Sequence, residues 1–585
     1  MDGILTDASA RATATTWLGD FEAALASGEA TRLVALFAEE CHWRDILAFT
    51  WNLRTISGAS AIAEGMVPTL QRMAPRGPGL AGGRTPPRRV GRAGMEAIEA
   101  IFSFETSVGP CDGVVRLVHE GGRPRAWTLM TSLREIRGHE DPANGQRWQD
   151  VDWKRNFGGE NWLDRRNKAR AYADRDPAVL VVGAAQAGLS VAARLTQLGV
   201  DTLVVEREAR AGDSWRRRYH ALTLHNETRV NHLPYMPFPR SWPVFIPKDM
   251  LANWFEIYAE AMELNVWTGT ELVSGTWDEA AGCWEVLLRH QDGSERRMRP
   301  RHIVFANGVS TTPVMPELPG LKEFRGAVRH SGRYGSGMDW KGKRALVVGT
   351  GTSGHDVAQD LCVSGASEVT LVQRSPTLVV SLKEAQAPYA LYDEEIPFED
   401  KDLLATSFPF PVYRRAHQLM TTRNHEADRE LLEGLERQGF RLTSGEDGTG
   451  WQIMYLSRGG GYYFDAGCSQ MVVDGRVGLI QYADIERFGP DGPIMKDGSV
   501  RPADLIVLAT GYEGQAEAAR RILGDAVGDR IGPVWGFDEE GELNGMWRPT
   551  GQPGLWFHAG GLAQCRIFSK VLALQIKARE LGITT

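Results

Sequence analysis

The chain has 585 residues, 42% of them hydrophobic and 24% charged, and its 66 Lys and Arg against 74 Asp and Glu give a formal net charge of −8. At about 150 residues per domain it holds three or four units, each able to bury a core, which excludes a peptide hormone, a small binding module and a disulfide scaffold. The acidic balance argues against nucleic acid and anionic membrane as partners.

Six scattered cysteines (Cys41, Cys111, Cys283, Cys362, Cys468, Cys565) form no C-x-x-C pair and no zinc pattern, so they read as free thiols, with no metal, in a reducing compartment. The opening text MDGILTDASARATATTW is too acidic for a signal or transit peptide, and no run reaches the about 18 apolar residues of a membrane span. A cytoplasmic location is expected.

From Thr13 to Glu140 the text turns from helical periodicity to alternation, as in VVRLVHE and RAWTLMTSLREIRG around a turn at Gly121-Gly122-Arg123-Pro124. A small α+β unit, helix first and sheet last, is expected over residues 1–160. Inside it the Gly/Pro/Arg-rich stretch Arg72 to Gly94 reads as a mobile loop rather than a folded element. His42-Trp43-Arg44-Asp45 has the residue types of an acid–base pair. On a strand, however, His42 and Arg44 share one face and Trp43 and Asp45 the other, so a structural role is expected. Residues 161–176, polar and charged, read as a linker helix.

Strand, glycine turn, helix and strand follow from Pro177 to Glu206. The turn is Gly183-x-Ala185-x-x-Gly188, and Glu206 follows where an acid bonds the ribose of an adenine dinucleotide. Alanine at the middle position costs one methyl of clearance. The same grammar returns at Lys343 with Gly349-x-Gly351-x-x-Gly354, Ser353 inside it, and Gln373-Arg374-Ser375 in place of the acid. A guanidinium and a hydroxyl there suit a 2′-phosphate, which predicts NADPH over NADH. His302 to Gly308 and Asp504 to Tyr512, the latter with Gly511, read as buried strands running into glycine turns where the chain crosses back to a dinucleotide unit. Gly560-Gly561 opens a C-terminal helix with Leu and Ile on one face, for which a membrane surface is the rival reading. The 18 tryptophans scatter across every unit and read as packing.

Phe324-x-Gly326-x-x-x-His330-x-x-x-Tyr334 resembles the fingerprint of the class B flavoprotein monooxygenases. Gly212-Asp213-Ser214-Trp215, RRRYHALTLH, NHLPYMPFP, HSGRYGSGMDWKGKRALVVGTGTSGHDVAQDL and LATGY are similar to the YUCCA-like branch. The resemblance runs from Pro177 to the C-terminus, with an unusual portion from about Leu382 to Gly461. It implies an α/β architecture of two Rossmann-type domains. FAD would lie on 177–338 and 491–585, along Gly212 and Trp215, and NADPH on 339–490 with an insertion at 382–461; the C-terminal helix would begin near the flavin. It also implies insertion of one oxygen atom from O2 into a small organic substrate through a flavin C4a-(hydro)peroxide. The outcome would be N- or S-oxygenation or oxidative decarboxylation of a 2-oxo acid.

His225 falls where the N- and S-oxygenating enzymes carry Asn and YUCCA-like enzymes carry His, and is the candidate catalytic residue. His330 belongs with the cofactor-binding set, serving domain linkage rather than chemistry. Tyr334 is followed by Gly335, where Baeyer–Villiger enzymes have Trp followed by Pro or Asp. A Baeyer–Villiger ketone oxygenase, and an NADPH oxidase or redox sensor with a ligand-binding N-terminal domain, are the alternatives. The segment CHWRDILAFTWNLRTISG resembles SnoaL-like domains of the ketosteroid-isomerase superfamily, which implies a cone-shaped N-terminal domain; a homodimer is left open.

Overall fold

Period-2 alternation turns one face of each N-terminal strand to a core and the other away from it. The computed structural model describes residues 8–142 and 157–584; 143–156, at the end of the first expected unit, lies outside the described residues. Helices α1 (Ala8–Ser27), α2 (Ala30–Val34) and α3 (Ala59–Met73) accompany seven strands. These are β1 (Phe37–Ile46), β2 (Leu53–Ser57), β3 (Arg76–Leu80), β4 (Arg88–Arg92), β5 (Met95–Glu105), β6 (Pro110–Glu120) and β7 (Arg123–Leu133). They form one sheet in the order β2-β1-β7-β6-β5-β3, with β4 also on β5, and every pairing is antiparallel except β1 with β7.

On the core face, Trp17 stacks on Phe21, and Phe49 lies between Trp43 and Phe104. Trp43 Nε1 donates to Thr131 Oγ1 at 2.9 Å, and that hydroxyl donates to Asp45 at 2.7 Å. Asp45 is fully buried and also accepts from the Phe49 and Thr50 amides, so it ties a loop to the sheet. His42, on the other face, meets Ser57 Oγ at 2.8 Å.

The stretch Arg72 to Gly94 is not a mobile loop: it contains β3 and β4, both paired to β5. Three of its arginines, Arg84, Arg88 and Arg92, find carboxylates. Arg88 stands directly opposite Glu99, and Glu99 opposite Arg116, across β4, β5 and β6. Burial pushes the Glu99 carboxyl up, but Arg116, Arg92 and Arg88 outweigh it and hold the group at about 2.

The polar linker text forms α4 (Trp162–Ala171), opened by a reciprocal capping box between Asn161 and Asp164. Beyond it come two five-stranded parallel sheets. The first contains β8 (Val179–Val182) and β9 (Thr202–Val205) linked by α5 (Gln186–Gln197); its order is Asn265–Trp267, β9, β8, His302–Phe305, Leu555–Phe557. The second runs Ala327–His330, Leu505–Leu508, Arg344–Val348, Glu368–Gln373, Gly478–Gln481. Leu505–Leu508 therefore belongs to the second sheet, and the chain returns to the first only at Leu555–Phe557. All four residues of Leu505–Leu508 are fully buried, and only a strand with a neighbour on each side satisfies its backbone there.

Residues 382–461 build mostly helices, among them Phe398–Thr406, Phe410–Ala427 and Gly450–Arg458. They sit against the N-terminal sheet on one side and the C-terminal helix Leu562–Glu580 on the other. That C-terminal helix is buried on nearly all sides, which removes the membrane-surface reading. Among the described residues no helix is long and apolar enough to cross a membrane.

Candidate active site

In each parallel sheet the central strand, Val179–Val182 or Arg344–Val348, ends in a glycine turn that feeds a helix whose N-terminus carries no side-chain cap. Gly183 and Gly349 adopt φ of +110° and +118°, the region L side chains avoid. A Cβ at Gly188 or Gly354 would lie 1.8 or 2.0 Å from the carbonyl oxygen of Gly183 or Gly349, so these residues allow the helix to pack on its own turn. At Gly351 a Cβ would meet only the Tyr462 carbonyl at 3.6 Å; this position faces open space, as does Ala185 in the first turn. Uncapped helix N-termini offer free N–H groups and partial positive charge, the donor set a pyrophosphate needs.

Both turns open into one cavity of about 1740 Å³. A drug-sized ligand takes about 300–1000 Å³, so this space suits two dinucleotides rather than one. Gly183, Ala185, Glu206, Trp215, His225, Gly349, Gly351, Ser353, Gly354, Arg374, Ser375 and Gly511 line it. Gly188, Gly212 and His330 stand behind the lining. Gly212, at φ +79°, packs against Ala252 and donates its amide to Ala184. His330 Nε2 meets the Gly511 carbonyl at 3.1 Å and its Nδ1 accepts from Gly332, which joins the fingerprint segment to the Gly511 turn.

Glu206 accepts from the Ala184 amide at 2.8 Å and the Glu208 amide at 3.0 Å, and burial pushes its carboxyl above the usual range. It ends β9 beside the first turn, where a ribose edge fits. Arg374 is exposed at the corresponding end of Glu368–Gln373 and makes no ion pair among the described residues; its carbonyl is held by Arg441. Trp215 Nε1 donates to Gln186, whose amide reaches the Gly560 carbonyl, so the C-terminal helix begins beside the first turn.

His225 turns its exposed ring surface into the cavity while protein encloses it from behind. Burial depresses the ring to about 4, so it is neutral at pH 7 and offers one donor and one acceptor. Its ring lies 4.5 Å from that of Phe464, and its carbonyl accepts from Gln386 at 2.9 Å.

The sequence reading missed an aromatic part of the cavity lining, Tyr389, Trp451, Tyr455, Tyr462 and Phe464, of which Tyr462 adjoins the second turn. Trp451 meets Phe464 edge to face at 4.7 Å, and Tyr389 accepts from Asn226 at 3.0 Å. The spacing of Trp451 and Tyr455, four residues apart on one helix face, was the available signal.

The flavin-binding monooxygenase-like family profile matches residues 176–393. Indole-3-pyruvate monooxygenase YUCCA1 of Oryza sativa subsp. japonica is 38% identical over 350 residues, 60% of this chain and 80% of that protein. Probable indole-3-pyruvate monooxygenase YUCCA7 of Arabidopsis thaliana is 31% identical over 338 residues, 57% of this chain and 73% of its own length. Among solved structures, cyclohexanone monooxygenase in an open form aligns with a TM-score of 0.52 at 18% identity, over 70% of this chain and 88% of that one. OTEMO in complex with FAD and NADP gives 0.52 at 17%, over 70% and 87%; these two share the fold.

Proposed function

Because this chain belongs to the flavin-binding monooxygenase-like family and is an FAD- and NADPH-dependent monooxygenase, we propose that it oxidatively decarboxylates a flat aromatic 2-oxo acid. The observation that carries this reading is the group of aromatic side chains lining the cavity into which both glycine turns open. The relatives named as indole-3-pyruvate monooxygenases support the same substrate class. The balance is 2-oxo acid, O2, NADPH and a proton giving the acid one carbon shorter, CO2, water and NADP+.

FAD would lie along Gly183, Ala185, Glu206 and Trp215 with Gly188 and Gly212 shaping the turn, and NADPH along Gly349, Gly351, Ser353, Gly354 and Gly511. The bound flavin supplies the electron and oxygen chemistry. The uncapped N-termini of α5 and Thr352–Val363 hold the two pyrophosphates, and Arg374 with Ser375 holds the 2′-phosphate. His330 fixes the Gly511 turn between the two units. The aromatic wall excludes water and stacks the substrate ring. His225, neutral, hydrogen-bonds the reacting edge without delivering a proton as an acid at pH 7.

Substrate and O2 complete the partner set in this reading. The six free cysteines support a reducing, cytoplasmic setting. The N-terminal unit, three helices against a mainly antiparallel sheet, supports the SnoaL-like assignment.

The deciding experiment supplies 18O2 and NADPH with a panel of aromatic 2-oxo acids, ketones and amines, and identifies products by mass. One labelled oxygen in the shortened acid, with CO2 released, is the expected result. An ester from a ketone would favour the Baeyer–Villiger reading, and peroxide with no labelled product would favour the oxidase or sensor reading.

A further inference from the structure

Two elements that wall the cavity are each backed by an acid that the N-terminal unit grips. Tyr389 sits on the 3-10 segment Glu384–Asp393, and the next residue, Glu394, bridges Arg88 at 2.6 Å and Arg92 at 2.9 Å. Those two arginines also hold Glu99, which pairs at 2.8 Å with the fully buried Arg116.

Tyr455 is backed by a second knot. Trp535 donates to the Tyr455 carbonyl at 2.9 Å and packs edge-on against its ring at 5.3 Å, and the Gly536 amide donates to the Leu456 carbonyl. The loop carrying Trp535 is closed by Asp538 and Glu542, which bond each other's backbone. Glu542, 5% exposed, accepts two bonds from Arg44 at 2.8 and 2.6 Å and one from Thr55 at 2.8 Å. Arg44 and Thr55 face each other across β1 and β2. Arg44 also donates to the Thr406 carbonyl at the end of the helix Phe398–Thr406.

A paired guanidinium and carboxylate fix both separation and plane, whereas apolar surfaces slide. We propose that the N-terminal unit is the positioning body of the substrate cavity: through Arg44–Glu542 behind Tyr455 and Arg88/Arg92–Glu394 behind Tyr389, it sets the separation of the two aromatic elements and so the affinity for the organic substrate. The proposal rests on the reading of this cavity as the substrate site. Arg44, Glu394 and Glu542 are positioning residues, since none of them lines the cavity.

The test uses the full-length holoenzyme carrying Glu542→Ala, Glu542→Gln or Glu394→Ala, with Glu540→Ala as control, because Glu540 lies in the same loop but pairs with Arg54 at a half-solvated site. Steady-state kinetics should show the KM for an aromatic 2-oxo acid raised at least fivefold in both alanine variants. The NADPH KM should stay within twofold, more NADPH should be consumed per product, and Glu542→Gln, which keeps an acceptor, should fall between wild type and alanine.

Hydrogen exchange supplies a readout that needs no substrate. Amides of 450–458 in Glu542→Ala, and of 384–393 in Glu394→Ala, should exchange at least tenfold faster, with α5 and the Glu540→Ala control unaltered. Wild-type KM and wild-type exchange in both alanine variants would overturn the proposal, as would exchange that quickens uniformly along the chain. Should wild type turn over no aromatic 2-oxo acid, the functional reading fails, and local exchange still decides whether the knots hold the wall.

Discussion

Asp400 and Asp402 stand two residues apart on the helix Phe398–Thr406, about 200° around its axis, and are bound to different bodies. Asp400, fully buried, accepts from Arg84 and from the amide and hydroxyl of Thr85 in the N-terminal unit. Asp402 accepts two bonds, 2.8 and 2.7 Å, from Arg566 of the C-terminal helix, and one from the Tyr392 hydroxyl. The helix is a strut between the two.

Asp402→Ala should destabilise the protein by about 3–5 kcal/mol, because it leaves the Arg566 guanidinium, 3% exposed, as a buried charge without a carboxylate. Asp400→Asn keeps an acceptor for Thr85 and should cost less, about 1.5–3 kcal/mol. Urea denaturation of the holoenzyme measures both, and equal costs would contradict the geometry.

Arg374→Ala should raise the NADPH KM by about 10–100-fold, the equivalent of one charged hydrogen bond of about 1.5–3 kcal/mol, and leave the NADH KM nearly unchanged. An unaltered NADPH to NADH preference would show that this guanidinium does not read the 2′-phosphate.

The second glycine turn separates packing from binding. Gly354→Ala would press a methyl to 2.0 Å from the Gly349 carbonyl and should abolish NADPH binding while FAD content, measured by absorbance, is retained. Gly351→Ala meets protein only at 3.6 Å, so it should keep its thermal midpoint and raise the NADPH KM alone. Calorimetry with NADPH titration distinguishes the two.

Stability should fall as the pH drops from 6.5 toward 4. His355, His417 and His558 are buried, and burial depresses their rings to about 4, 3 and 3. Between those values and the unfolded pKa of about 6.5 the unfolded chain binds the extra protons, so stability is complete above that range. It is lost on acidification at up to about 1.4 kcal/mol per pH unit per histidine. Urea midpoints at pH 7, 6 and 5 should decline, and His417→Leu should flatten the decline.

Both glycine turns were legible because each is one local unit of strand, turn and helix within about 30 residues. So were the linker helix α4 and the split faces of His42-Trp43-Arg44-Asp45. What local text concealed was chemistry at long range. Arg84 and Arg88 looked like loop residues because Asp400 and Glu394 lie 316 and 306 positions away. Leu505–Leu508 looked like a return strand because a buried apolar run carries no address for the sheet it joins. The cavity wall stayed hidden because Trp451 and Tyr455 end an unusual helical portion, and Tyr462 and Phe464 lie on the short strand just after it, whose packing only the whole chain defines.

Arg44 and Glu542 are separated by 498 positions. At about 5–20 residues added per second, the nascent N-terminal unit precedes its last partner by about 25–100 s. Until those later segments emerge, Arg44, Arg54, Arg84, Arg88 and Arg92 lack the carboxylates of Glu542, Glu540, Asp400 and Glu394, and only Glu99 and Asp112 within the unit meet part of their charge. The finished enzyme supplies these guanidinium groups with acids, but every unfinished copy leaves them short of partners, and a chain that stops before Glu394 does so for good.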